Sequence, residues 1–140
     1  MRSAAERIRR LVRLTPRERR VLARAWCYLL ALDVGLRVLP ITRLLPCAPA
    51  RRPPATPVPP ERVTYLLGLA WRLSPVRATC LKDALVLARL LRDEGVAATV
   101  RFGVARRDAS LDAHAWVEHP GQAPGEPCHA GAYTPLTARR

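Results

Sequence analysis

TCLKDALVLARLLRDEG, residues 79–95, is the stretch whose reading decides the fold. Leu81, Ala84 with Leu85, Leu87 with Ala88, and Leu91 recur at helical spacing, so one stripe of a helix faces a core. Thr79 can cap the start, Asp83 suits the first turn as a charge at the positive end of the helix dipole, and Gly95 is a natural C-terminal cap. Cys80 therefore stands at or beside the first helical residue. A thiol placed there meets unpaired N–H groups and the positive end of a dipole, both of which favour thiolate over thiol. An imidazole brought close can hold the thiolate or take its proton.

Downstream, VAATVRFGV at 96–104 reads as a strand, ARRDAS as a loop and LDAHAWVEH at 111–119 as a second strand. HPGQAPGE is a turn region and AYTPL a short third strand. A helix followed by an antiparallel meander is an α+β pattern. In the second strand the period-2 rule puts Leu111, Ala113, Ala115 and Val117 on one face. Asp112, His114, Trp116 and Glu118 share the other. His114 thus belongs to the mixed face, while His119 lies opposite and is a poor co-ligand. The competing reading is a histidine held only by a structural hydrogen bond.

Chain geometry bears on whether His114 meets Cys80. The helix from Cys80 carries the chain about 21 Å away at 1.5 Å per residue. The strand can return it by roughly 26 Å at about 3.3 Å per residue. In an antiparallel hairpin both residues then fall at the same end of the fold. For a carboxylate that orients the ring, a turn near Pro120-Gly121 would set Glu126 across from His114. Asp112 is the alternative, two residues along the histidine's own face. Asp83 is read as a first-turn charge.

Upstream, Thr15-Pro16-Arg17-Glu18 has the pattern of a helix start: cap, proline at the first position, glutamate at the third. Residues 3–24 carry helical apolar spacing with arginines elsewhere, and Thr15 begins a second helix that should stop before Pro40. That helix is apolar nearly all round, so it must pack on the rest of the chain or on a partner. Residues 50–61, ARRPPATPVPPE, hold five prolines in twelve positions and read as an extended linker. A further helix runs over about 61–73. The organisation expected is a basic helical arm over 1–49, a proline-rich linker over 50–60 and a folded domain over 61–140.

The hydrophobic fraction, 49%, is far too high for a disordered chain. The net charge of +13 is uneven: residues 1–60 hold 13 arginines against 3 acids, a net of +10, and residues 61–140 hold 11 basic residues against 8 acids, a net of +3. A basic face for an acidic partner is one reading. The other is compositional: Lys82 is the only lysine, and a chain rich in Arg, Ala and Pro has a high pI without binding nucleic acid. A nucleic-acid module would interleave aromatics with arginines, whereas Trp26 and Tyr28 sit in an apolar run. Cys27, Cys47, Cys80 and Cys128 form no CxxC pair. Cys27 reads as packing, and Cys128-His129 is a weak metal signal. Neither a metal nor a cofactor is expected. The apolar run at 26–32 is too short and interrupted to span a bilayer, no secretory signal stands out, and reduced thiols in the cytoplasm are the expectation.

The run from Thr79 through Gly121 resembles the transglutaminase-like, papain-type cysteine peptidases of lasso peptide biosynthesis, the stand-alone B2 leader peptidases. Cys80-Leu81, Gly95, Gly103-Val104, Ala113-His114-Ala115-Trp116-Val117-Glu118 and Gly121 carry the likeness. It covers about residues 61–136, and the preceding arm is similar in character only. The resemblance implies a fold in which the cysteine helix packs on an antiparallel sheet, with Cys80 as nucleophile and His114 as general base. It also implies a carboxylate about a dozen residues past the histidine. The family usually has Asp there, and this sequence has Glu126. The implied substrate is a lasso precursor peptide, whose leader is removed so that a separate asparagine-synthetase-like, ATP-dependent cyclase can close the ring. A small leader-binding protein of the B1 type is the further implied partner, and the chain leaves no room for such a domain of its own. The arm is expected to dock on one of these partners. A peptide-binding scaffold without catalysis is the rival within the same fold.

Overall fold

Thr15 opens the first helix through a reciprocal pair of hydrogen bonds. The Glu18 amide donates to the Thr15 hydroxyl at 3.2 Å, the Thr15 amide donates to the Glu18 carboxylate at 2.8 Å, and Pro16 takes the first helical position. The computed structural model of the chain describes residues 12–45, 49–121 and 133–136. Helix α1 spans Pro16–Val38 and stops before Pro40, as the proline requires. A single turn, α2, follows at Ile41–Leu44, then α3 at Pro60–Leu73 and α4 at Cys80–Asp93. Three strands complete the fold: β1 (Thr99–Arg107), β2 (Ser110–Glu118) and β3 (Thr134–Pro135).

Val21, Ala25, Leu29 and Leu32 form the buried stripe of α1. They join Val63, Leu66, Leu67 and Ala70 of α3 and Leu85, Ala88 and Leu91 of α4 in one cluster. Each fully buried leucine of this kind contributes about 1.5–3 kcal/mol relative to exposure, so the stripe alone is ample to dock the helix. Of the two partners open to α1, the structure shows the rest of its own chain. Cys27 lies off the stripe and is exposed, which corrects its reading as a packing residue.

Helix α1 and the described part of the proline-rich segment after it are both held to the end of α4. The reason is a pair of carboxylates at the end of α4. Arg17 donates to both oxygens of Glu94, at 3.0 and 3.1 Å, and the Val58 amide donates to the same carboxylate at 2.9 Å. The Tyr28 hydroxyl donates to Asp93 at 2.6 Å, and Arg51 lies 3.6 Å from that residue. Val58 itself is buried. The segment is extended, as prolines demand, but it is fastened along its length.

Gly95 reverses the chain with φ +87, and a Cβ there would come within 2.6 Å of Pro53. Only glycine satisfies both conditions. β1 and β2 then form an antiparallel hairpin in which Arg107 pairs with Ser110 and Gly103 with His114. Asp108 turns the corner at φ 52, a conformation that Asp tolerates better than most residues. β3 pairs with β1, not β2, giving the order β2-β1-β3. The expected meander is thus corrected: the third strand crosses to the far edge and β1 is central. Helix α4 packs on this sheet, and the α+β class holds.

Candidate functional site

Cys80 is the first residue of α4 and is exposed. Thr79 caps the helix, its hydroxyl accepting from the Lys82 amide at 3.3 Å and its carbonyl from the Asp83 amide at 3.0 Å. The amides of Cys80 and Leu81 are left outside the intrahelical ladder, as at any helix start.

The turn carrying Cys80 is fixed from both sides by residues to which sequence reasoning gave no part in the site. On one side the Lys82 ammonium donates to Asp33 of α1 at 2.6 Å and to the Arg77 carbonyl at 3.2 Å. That ammonium holds the Asp33 carboxyl below its ordinary value. On the other side the Trp71 indole of α3 donates to Asp83 at 2.6 Å. Burial raises the Asp83 carboxyl above its usual value, and the indole's hydrogen bond offsets part of that rise. Asp83 is therefore an inter-helix strut as well as the first-turn charge the sequence suggested. Helix-facing spacing of Trp71 was the only signal, and it does not reveal a partner on another helix.

His114 sits half-buried on β2, on the face that period-2 alternation assigns to it. Ala115 and Val117 enter the core with Val100 and Phe102 of β1, while Trp116 is buried outside that cluster. The Trp116 ring stacks near His114, with centroids 6.4 Å apart and planes 20° off parallel, and the Tyr133 ring lies 5.2 Å away. Gly103 makes room for this group. A Cβ on it would stand 2.8 Å from the Trp116 ring and 2.9 Å from Tyr133 Cβ. The Tyr133 hydroxyl donates to Asp112 at 2.8 Å, and that bond to a carboxylate raises the phenol above its ordinary value. Trp116 Nε1 donates to Glu118 at 3.1 Å, which Arg101 also contacts at 3.0 Å.

Among the proposed site residues, the structure brings His114 and Asp112 to one tyrosine. The described contacts do not join Cys80 to His114. Helix α4 covers the Ala115 and Val117 side of the sheet, so the histidine's ring projects from the opposite face. At the hairpin end Leu111 and Ala113 are exposed, so the core does not extend to that end of β2. Glu126, the favoured third residue, lies outside the described residues, as do Cys47, Cys128 and His129. Among the described residues no group of three or more His, Cys, Asp or Glu could hold a metal ion, and no helix is long and apolar enough to cross a membrane. Tyr133 was missed because the sequence offered it only as part of a short strand.

A family profile described as the transglutaminase-like superfamily matches residues 21–138. The match spans most of the chain, with all but the first turn or so of α1, and the protein belongs to that superfamily. Cysteine peptidases and transglutaminases are both found there. No curated protein and no solved structure matches the chain.

Proposed function

We propose that the chain is a cysteine peptidase that removes the leader from a lasso precursor peptide in the cytoplasm, with Cys80 as nucleophile. A single observation carries the reading: in a member of this superfamily, an exposed cysteine occupies the first position of a capped, otherwise well-buried helix. The Cys80 thiolate attacks the carbonyl at the leader–core junction. His114, having taken the thiol proton, passes it to the departing amine, and water activated by His114 hydrolyses the acyl-enzyme. The Cys80 amide is one oxyanion donor. Glu126 or Asp112 orients the imidazole, the latter by way of its shared neighbour Tyr133. A small leader-binding protein delivers the precursor, and an asparagine-synthetase-like cyclase uses the product. The reading requires Cys80 and His114 to meet in the working enzyme.

Replacement tests it. Cys80→Ala and His114→Ala should each abolish cleavage of the cognate precursor, measured by mass spectrometry with the partner protein present. Cleavage that survives Cys80→Ala sinks the peptidase. The second reading is a peptide-binding scaffold, favoured by α4 covering the Ala115 and Val117 side of the sheet while His114 lies on the other. It is supported if the precursor binds with unchanged affinity to wild type and both variants and is never cut.

A further inference from the structure

Next to the turn that carries Cys80 lies a groove of about 610 Å³ between α1 and the segment that leads into α4. Leu30 and Val76 give it apolar walls, and Asp33, Arg37, Arg77 and Lys82 give it charge. The carboxylate is already committed: Lys82 reaches it at 2.6 Å and Arg37 at 3.0 Å. The Arg77 guanidinium takes no partner among the described residues. Three cations against one carboxylate leave two positive charges beside a half-apolar channel, with one planar fork open to a second carboxylate.

The position matters as much as the charge. Arg77 precedes Cys80 by three residues and Lys82 follows it by two. Extended chain advances by at most ~3.6 Å per residue, so Arg77 lies within about three peptide residues of the thiol. Resting on the peptidase reading, we infer that this groove is a substrate subsite that selects an acidic side chain within about three positions of the cleaved bond, with aliphatic neighbours lying against Leu30 and Val76. A nucleic acid suits it less, because the walls are aliphatic and offer no ring on which a base could stack. The subsite also gives α1 a task in recognition, since Asp33 and Arg37 both come from it.

The test uses the full chain with Cys80→Ala to prevent turnover and a pair of short synthetic peptides that differ only in two Glu-to-Gln exchanges. Labelled with an uncharged dye and followed by anisotropy, the Glu peptide should bind at least ~10-fold more tightly. Arg37→Glu with Arg77→Glu should bring that ratio to within about twofold, and Arg77→Glu alone should lower it without breaking any ion pair. Arg20→Glu with Arg52→Glu, an equal charge change at exposed sites elsewhere, should leave it intact. Equal binding of the two peptides overturns the subsite. So does a ratio that survives the groove variants, one that falls equally in the control, or a single-stranded oligonucleotide that binds more tightly with the same sensitivity. Glu-selective binding by a wild type that cuts no precursor would end the peptidase reading and leave the acidic subsite standing. Cleavage indifferent to charge would do the reverse.

Discussion

Gly103 is where a single atom decides the surroundings of His114. An added methyl would meet Trp116 ring carbons at 2.8 Å and Tyr133 Cβ at 2.9 Å, so Gly103→Ala must push both rings off the histidine. We expect cleavage to fall at least ~10-fold, or about 1.4 kcal/mol of barrier, while alkylation of Cys80 by iodoacetamide keeps its wild-type rate. Loss of the cooperative thermal transition would mean global unfolding instead. Asp83 makes a second case, with a sign that depends on pH. Its folded carboxyl titrates above the unfolded one, so the stability it gives is complete below the unfolded value and is lost as pH rises through the folded one. Asp83→Asn keeps an oxygen for the Trp71 indole and removes the desolvated charge. It should match wild type in acid and become the more stable protein as pH rises, whereas Asp83→Ala should lose about 1–3 kcal/mol by stranding the indole. Urea titrations at several pH values would show both. The face of His114 was legible because alternation is local to one strand. Its neighbour Tyr133 was not, because a ring brought in from another strand leaves no mark on AHAW.

Helix boundaries were the most readable elements, since Thr15, Thr79 and Gly95 are local signals whose chemistry acts within one turn. What the helices meet was not local. The apolar circumference of α1 could not say whether it packs on its own chain, because the deciding partner of Arg17 is Glu94, 77 residues away. The carboxylate is almost wholly buried and the guanidinium mostly so. Glu94→Ala removes the only carboxylate that Arg17 pairs with among the described residues, and leaves the Val58 amide without its acceptor. Breaking a buried pair by removing one member costs about 3–5 kcal/mol, so the variant should unfold at markedly lower urea with an unchanged slope. A loss below ~1 kcal/mol would show that the pair behaves as an exposed one.

At the scale of the whole molecule, the charge asymmetry and proline content suggested two bodies joined by a tether. Residues 50–59 stay out of helix and sheet, as their prolines favour, but proline does not forbid docking. Val58 and the Gly95 contact with Pro53 fasten that segment to the end of α4. The consequence concerns truncation. An arm that only recruits partners could be removed at residue 50, leaving a folded domain with an alkylatable Cys80. The packing argues otherwise: without α1, the fully buried Leu66 and Leu67 of α3 and the Leu85 and Leu91 of α4 would lose a shared wall. Exposing even three such side chains costs about 4.5–9 kcal/mol, comparable to the entire stability of a small domain. The chain beginning at residue 51 should therefore show no cooperative thermal transition by circular dichroism. A sharp transition near the wild-type midpoint would restore the free arm. Adding α1 as a separate peptide offers the finer test, because a helix that belongs to the core should restore cooperative melting in proportion to its concentration, whereas an arm meant for a partner should not.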